Sequence, residues 1–101
     1  MATFRHAIAV LLALACLGAR ADEALRGAIA APHRTPAFVA RDGVRKPYEE
    51  LLFLGLKPDS TVVEISPGGG YWTEILAPYL RDKGRLYVAQ YPLESVKGRA
   101  E

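Results

Sequence analysis

Little in this chain supports thiol, redox or metal chemistry. Among its 101 residues there are one cysteine, two histidines and one methionine. Cys16 lies in an apolar run near the start, so no disulfide framework and no cysteine-rich metal site can be built. His6 falls in the same leading segment, and His33 stands beside Arg34 in a stretch broken by Pro32 and Pro36, where a lone histidine reads as solvated. No Ser-His-Asp arrangement, paired-carboxylate site or metal-ligand spacing is present. Charge of one sign is also lacking. The 13 Lys and Arg are interspersed with 11 Asp and Glu for a net +2, which provides neither a phosphate-tracking stripe nor a patch for an anionic membrane. The composition, 50% hydrophobic and 24% charged, is that of an ordinary soluble domain.

The one long hydrophobic run comes first. Arg5 precedes AIAVLLALACLG, and Ala19-Arg20-Ala21 supplies small-x-small spacing before Asp22. The run is short for a bilayer span, and the pattern is that of a secretory signal peptide, residues 1–21, cleaved after Ala21. An exported, periplasmic protein with no stable membrane association is then expected, and Cys16 leaves with the peptide. Lipidation of Cys16 is the competing reading, weakened because the third residue before it is Ala13 rather than leucine. Cleavage would leave 101 − 21 = 80 residues, enough for one modest core.

Residues 22–44 read as a helical segment and linker. Ala24, Leu25, Ala28 and Ile29 have helical spacing up to Pro32, and Ala37 to Val44 suggests a helical turn ending at an Asp42-Gly43 turn. Residues 45–101 carry the more regular pattern. Pro47, Glu49 and Glu50 mark a helix start, Tyr48, Leu51, Leu52 and Leu54 its buried face, and Gly55 its end. Thr61 to Ile65 reads as a parallel strand covered on both faces. Tyr71 to Leu80 is an amphipathic helix with Pro78 bending or ending its last turn. Arg85 to Gln90 is a second strand, and a further helix is expected after Pro92. Strand, glycine loop, helix, strand is one βαβ unit. The fold class expected is α/β, a partial Rossmann-like doubly wound parallel sheet preceded by N-terminal helices.

Between the first strand and its helix lies Glu64-Ile65-Ser66-Pro67-Gly68-Gly69-Gly70. Glycines there let a ligand come into contact with the backbone at a helix N-terminus, on the side where open α/β sheets bind ligands. The spacing matches neither the dinucleotide fingerprint, which disfavours a nicotinamide enzyme, nor a phosphate loop. A ligand-free tight turn is the bland alternative. Trp72 and Tyr71 could wall a pocket, although Trp72 on a helix face is more often core. Arg41, Arg45 and Lys46 read as a solvated face or as the entrance of a site.

VVEISPGGGYWTEILAPYL resembles motif I of the class I S-adenosylmethionine-dependent methyltransferases. RDGVRKPYEELLFLGLKPDSTVVEISPGGGYWTEILAPYL is similar to a bacterial group of predicted, often exported methyltransferases, a resemblance over roughly residues 37–91. It implies that Glu64 is the motif's acidic residue. It also implies that Ser66, Gly68 and Gly70, with Gly69 between them, underlie the methionine and ribose of S-adenosylmethionine. Gln90 then stands where the family has an acid for the ribose hydroxyls. Serine replaces the first glycine and an amide the carboxylate, and an amide accepts less strongly. The family's sheet has about seven strands and this pattern supplies two, so the resemblance implies an N-terminal, truncated methyltransferase-like piece. No methyl acceptor or catalytic residue is named by it. The alternative is an exported, non-catalytic module or pseudoenzyme for a nucleoside-like ligand.

Overall fold

The computed structural model describes residues 2–92. The helix expected after Pro92 lies outside them. The chain is mixed α/β in the order α1 (Ala2–Ile29), α2 (Pro36–Val39), α3 (Asp42–Arg45), α4 (Pro47–Phe53), β1 (Thr61–Ile65), α5 (Thr73–Leu80) and β2 (Arg85–Ala89). The two strands pair in parallel, from Thr61 opposite Arg85 to Ile65 opposite Ala89. Ser66 N–H donates to the Ala89 carbonyl at 2.8 Å, which carries the ladder one residue into the glycine loop. Strand, loop, helix and parallel strand therefore form the expected βαβ unit.

The leading segment and the residues after it form one continuous helix, α1. Residues 13–20 of α1 are exposed, and burial begins with Leu25 and Ala28. No helix among the described residues is long and apolar enough to cross a membrane. The core is formed by Leu25 and Ala28 of α1, Leu51 of α4 and Ile75, Leu76, Tyr79 and Leu80 of α5, with Tyr71 before that helix. Val62 and Leu86 of the sheet pack against it. Two side-chain contacts at Asp22 fasten α1 to α4. Asp22 accepts a hydrogen bond from the Tyr48 hydroxyl, and Arg26, paired with Asp22, lies 3.8 Å over the Tyr48 ring.

Helix α4 begins and ends as its residues dictate. Pro47 occupies the first turn, where its missing N–H costs nothing. Gly55, at φ +73°, closes the helix in a Schellman motif: its N–H donates to the Leu52 carbonyl and that of Leu56 to Leu51. Its apolar face is narrower than the sequence suggests. Leu51 is buried and Tyr48 half-buried, but Leu52 and Leu54 are exposed, because α4 meets neighbours on one side only.

The sheet departs from expectation in the same way. Val62 and Glu64 point into the helical layer, whereas Val63, Ile65 and Tyr87 on the opposite face are exposed. Among the described residues one face is covered, not both. The Asp42-Gly43 pair is not a turn either. Asp42 is the first residue of α3, and the reversal between helices falls instead at Lys46, held in a left-handed conformation at φ 46°.

Helix α5 starts at Thr73, two residues later than its apolar spacing suggests, and runs through Pro78 to Leu80. Pro78 has no N–H to give the Glu74 carbonyl four residues back. That carbonyl accepts from His33 Nε2 at 2.8 Å, so a histidine that reads as solvated compensates the proline from another segment.

Candidate functional site

The glycine loop takes its shape from three residues in left-handed conformations: Ser66 (φ 52°), Gly68 (φ 59°) and Gly70 (φ 94°). These are the three places that the resemblance assigns to glycine. Ser66 thus adopts the backbone geometry of a glycine while carrying a side chain, at a cost of about 1–2 kcal/mol. Gly70 N–H donates to the Pro67 carbonyl and Glu74 N–H to the Gly70 carbonyl, which join the loop to the first turn of α5.

Glu64 ends the covered face of β1 and is 9% exposed. Its Oε2 accepts from the Thr73 hydroxyl at 2.6 Å. The motif's carboxylate is therefore held across the loop by the first residue of α5. Its Oε1 is buried with no hydrogen-bond partner among the described residues, and an unsatisfied carboxylate oxygen is costly to bury.

The loop separates two clefts. On one side Gly68, Gly69, Gly70, Thr73, Arg81 and the exposed Gln90 line a cleft of about 880 Å³. On the other, Arg41, Arg45, Phe38, Tyr71 and Trp72 join Glu64, Ser66, Gly68 and Gly69 around a cleft of about 310 Å³. Gln90 thus lines the same cleft as the glycines but not as Glu64 or Ser66. Glu64 also borders an apolar groove between α4 and β1. Trp72 is half-buried against the core and borders this groove as well as the smaller cleft. Arg41 and Arg45, which read first as a solvated face, line the smaller cleft; Lys46 does not.

Polar side chains whose partnerships the sequence does not mark hold this arrangement. Arg34, with its side chain fully buried, makes a two-pronged pair with Asp42, Nη1 to Oδ2 at 2.6 Å and Nη2 to Oδ1 at 3.1 Å. Its Nη1 also donates to the Ile29 carbonyl at the end of α1. Tyr71 donates its hydroxyl to Asp42 Oδ1 at 2.6 Å, and its ring lies 4.5 Å beneath Arg45 and 5.9 Å from Phe38. The Arg34 hydrogen bonds, with that from Tyr71, hold the Asp42 carboxyl below its ordinary range despite burial. Burial, then the bond to Asp42, raises the Tyr71 phenol. Glu74 adds a clamp from α5, accepting from Thr35 N–H at 2.9 Å and from its hydroxyl at 2.5 Å at the start of α2. These bonds lower the Glu74 pKa. An Arg and an Asp eight residues apart beside prolines give no sequence signal of pairing.

No cluster of three or more potential metal ligands occurs among the described residues. Comparison with protein-family models, curated proteins and solved structures found no match.

Two outcomes test this geometry. Ser66→Gly, which removes the side chain from a left-handed position, should raise stability by about 0.5–1 kcal/mol in urea denaturation; an unchanged or lowered midpoint would show that the serine side chain stabilises the loop. Asp42→Asn should cost about 3 kcal/mol, because it leaves the buried Arg34 charge without its counterion. The folded-state pKa of Asp42 lies below its unfolded value, so its contribution is full above the unfolded pKa and is lost as pH falls through the folded one. Wild-type stability should therefore fall below about pH 4, and the variant should show a shallower acid slope.

Proposed function

We propose that this chain carries the cofactor loop of an exported S-adenosylmethionine-dependent methyltransferase-like protein, its βαβ unit being the first unit of a Rossmann-like sheet. The observation that carries the proposal is the coincidence of backbone with motif: the three places where methyltransferase motif I has glycine are the three left-handed positions of this loop. The residues present fit a nucleoside ligand. A Cβ on Gly68 would project into open space, so the loop backbone is approachable at that point. Gln90 stands across the larger cleft with an amide able to accept from or donate to ribose hydroxyls. When bound, S-adenosylmethionine supplies a methyl group on a sulfonium. The chain's own residues would bind and align it, and alignment is the main requirement of such a transfer.

A calorimetric titration of the purified protein with S-adenosylmethionine should give binding that Gly70→Val weakens at least about tenfold, because a β-branched residue is strained at φ 94°. No heat at millimolar cofactor would overturn the reading. Cleavage after Ala21 would spare the core: residues 13–20 are exposed, while Asp22, just past Ala21, contacts Tyr48 of α4. The intact mass of the protein recovered from the periplasm should correspond to a chain starting at Asp22. A mass retaining residues 1–21, or carrying lipid on Cys16, would count against it.

A further inference from the structure

The smaller cleft differs in chemistry from the larger one. Its rim carries two cations, Arg41 and Arg45, neither of which has an ion pair or side-chain hydrogen bond among the described residues; Arg45 rests on the Tyr71 ring. The nearby acid, Asp42, is already committed to Arg34 and Tyr71, so it leaves both guanidiniums uncompensated. The walls are aromatic: Phe38, Tyr71 and Trp72, with Tyr71 edge-on to both others. In the same lining stands Glu64, nine-tenths buried, with its Oε1 unpartnered. At about 310 Å³ the cleft is at the small end of ligand pockets. It also shares Gly68 and Gly69 with the proposed cofactor cleft.

We infer that this cleft binds a small aromatic acid carrying a hydroxyl or N–H at the opposite end of its ring. The inference deepens the methyltransferase reading, on which it rests, by naming the class of acceptor. Arg41 and Arg45 take the carboxylate, and a guanidinium fork matches its geometry. The ring lies between the aromatic walls, where stacking and edge contacts are favourable. The donor group gives its hydrogen to Glu64 Oε1 and satisfies a buried side-chain acceptor that has no partner among the described residues. The two negative groups do not conflict, because the ligand's anion faces the arginines at the rim and its neutral donor faces the buried carboxylate. A fully apolar ligand would leave all three polar groups unsatisfied. A dianion would bring charge against Glu64.

The test is a calorimetric titration of the full chain with 4-hydroxybenzoate, its uncharged methyl ester, and benzoate. The acid should bind at millimolar or better, and the ester and benzoate at least about tenfold more weakly, as expected for loss of a charge-assisted contact or of the donor to Glu64. Arg41→Gln, at a side chain with no partner to lose, should weaken the acid at least about fivefold and leave the ester unchanged, with Arg41→Lys recovering part of the loss. Equal binding of acid and ester, no binding of the acid, or an Arg41→Gln titration like wild type would each overturn the inference. Saturating S-adenosylmethionine should leave the acid's affinity within about twofold. Full competition would instead assign the arginines to the cofactor's own carboxylate and overturn it. Heat with 4-hydroxybenzoate but none with S-adenosylmethionine would remove the cofactor reading and leave this cleft standing.

Discussion

The buried pairing of Arg34 with Asp42 is the constraint on which the rest of the site depends. Three elements converge on it: the end of α1 through the Ile29 carbonyl, the start of α3 through Asp42, and the loop-to-helix junction through Tyr71. Without it, residues 30–46 would be two short helical turns and a proline linker, with no buried residue of their own in α2 or α3. A fully desolvated guanidinium is unfavourable alone, and it is tolerated here because two carboxylate oxygens and a carbonyl surround it. The pair therefore contributes less as net stability than as specification, and it leaves the Arg34 Nε buried without a hydrogen-bond partner among the described residues.

That specification reaches the clefts directly. Asp42 fixes the Tyr71 hydroxyl, Tyr71 supports Arg45 from below, and Phe38 stands edge-on to the same ring. Phe38 in turn lies where a Cβ on Gly69 would meet its ring at 3.0 Å, so a side chain there would need the ring to give by a few tenths of an ångström, whereas at Gly68 and Gly70 it is the left-handed backbone that favours glycine. On the far side of the loop, His33 and Glu74 tie the linker to α5. Pro78 makes the first contact possible by leaving the Glu74 carbonyl unclaimed within its own helix. A residue that breaks a helix bond thereby creates a tertiary one.

What the sequence disclosed and what it concealed divide by range. The start of α4 at Pro47, its end at Gly55, the β-branched strand and the glycine loop depend on conformational preferences within a few residues, and all stand where their residues imply. The tethers do not: Tyr71 meets Asp42 across 29 positions, and His33 meets Glu74 across 41. A polar residue carries no mark of a partner so distant, so Arg34 and Asp42 read as linker and turn, and Glu74 goes unremarked within its amphipathic helix. Apolar spacing failed differently. It identified Leu52, Leu54, Val63 and Ile65 as capable of burial but could not say whether anything among the described residues covers them. Periodicity reports a face; only packing decides whether that face is used.

The loop itself is best understood as a thin wall. A cofactor site read from motif spacing treats Glu64, Ser66, the glycines and Gln90 as one ring of contacts, yet Gln90 faces one side of the loop and Glu64 with Ser66 the other. Pro67, Gly68 and Gly69 border both sides. A ligand in the larger cleft can therefore engage Gln90 and the loop but cannot discharge the empty acceptor on Glu64, which needs a donor from another direction. The Thr73 hydroxyl satisfies Oε2 from the helix, and Oε1 stays buried without a hydrogen-bond partner among the described residues, on a side chain that borders both the smaller cleft and the α4–β1 groove. Two unlike clefts meeting at a wall one backbone thick is an arrangement suited to bringing two different molecules into contact.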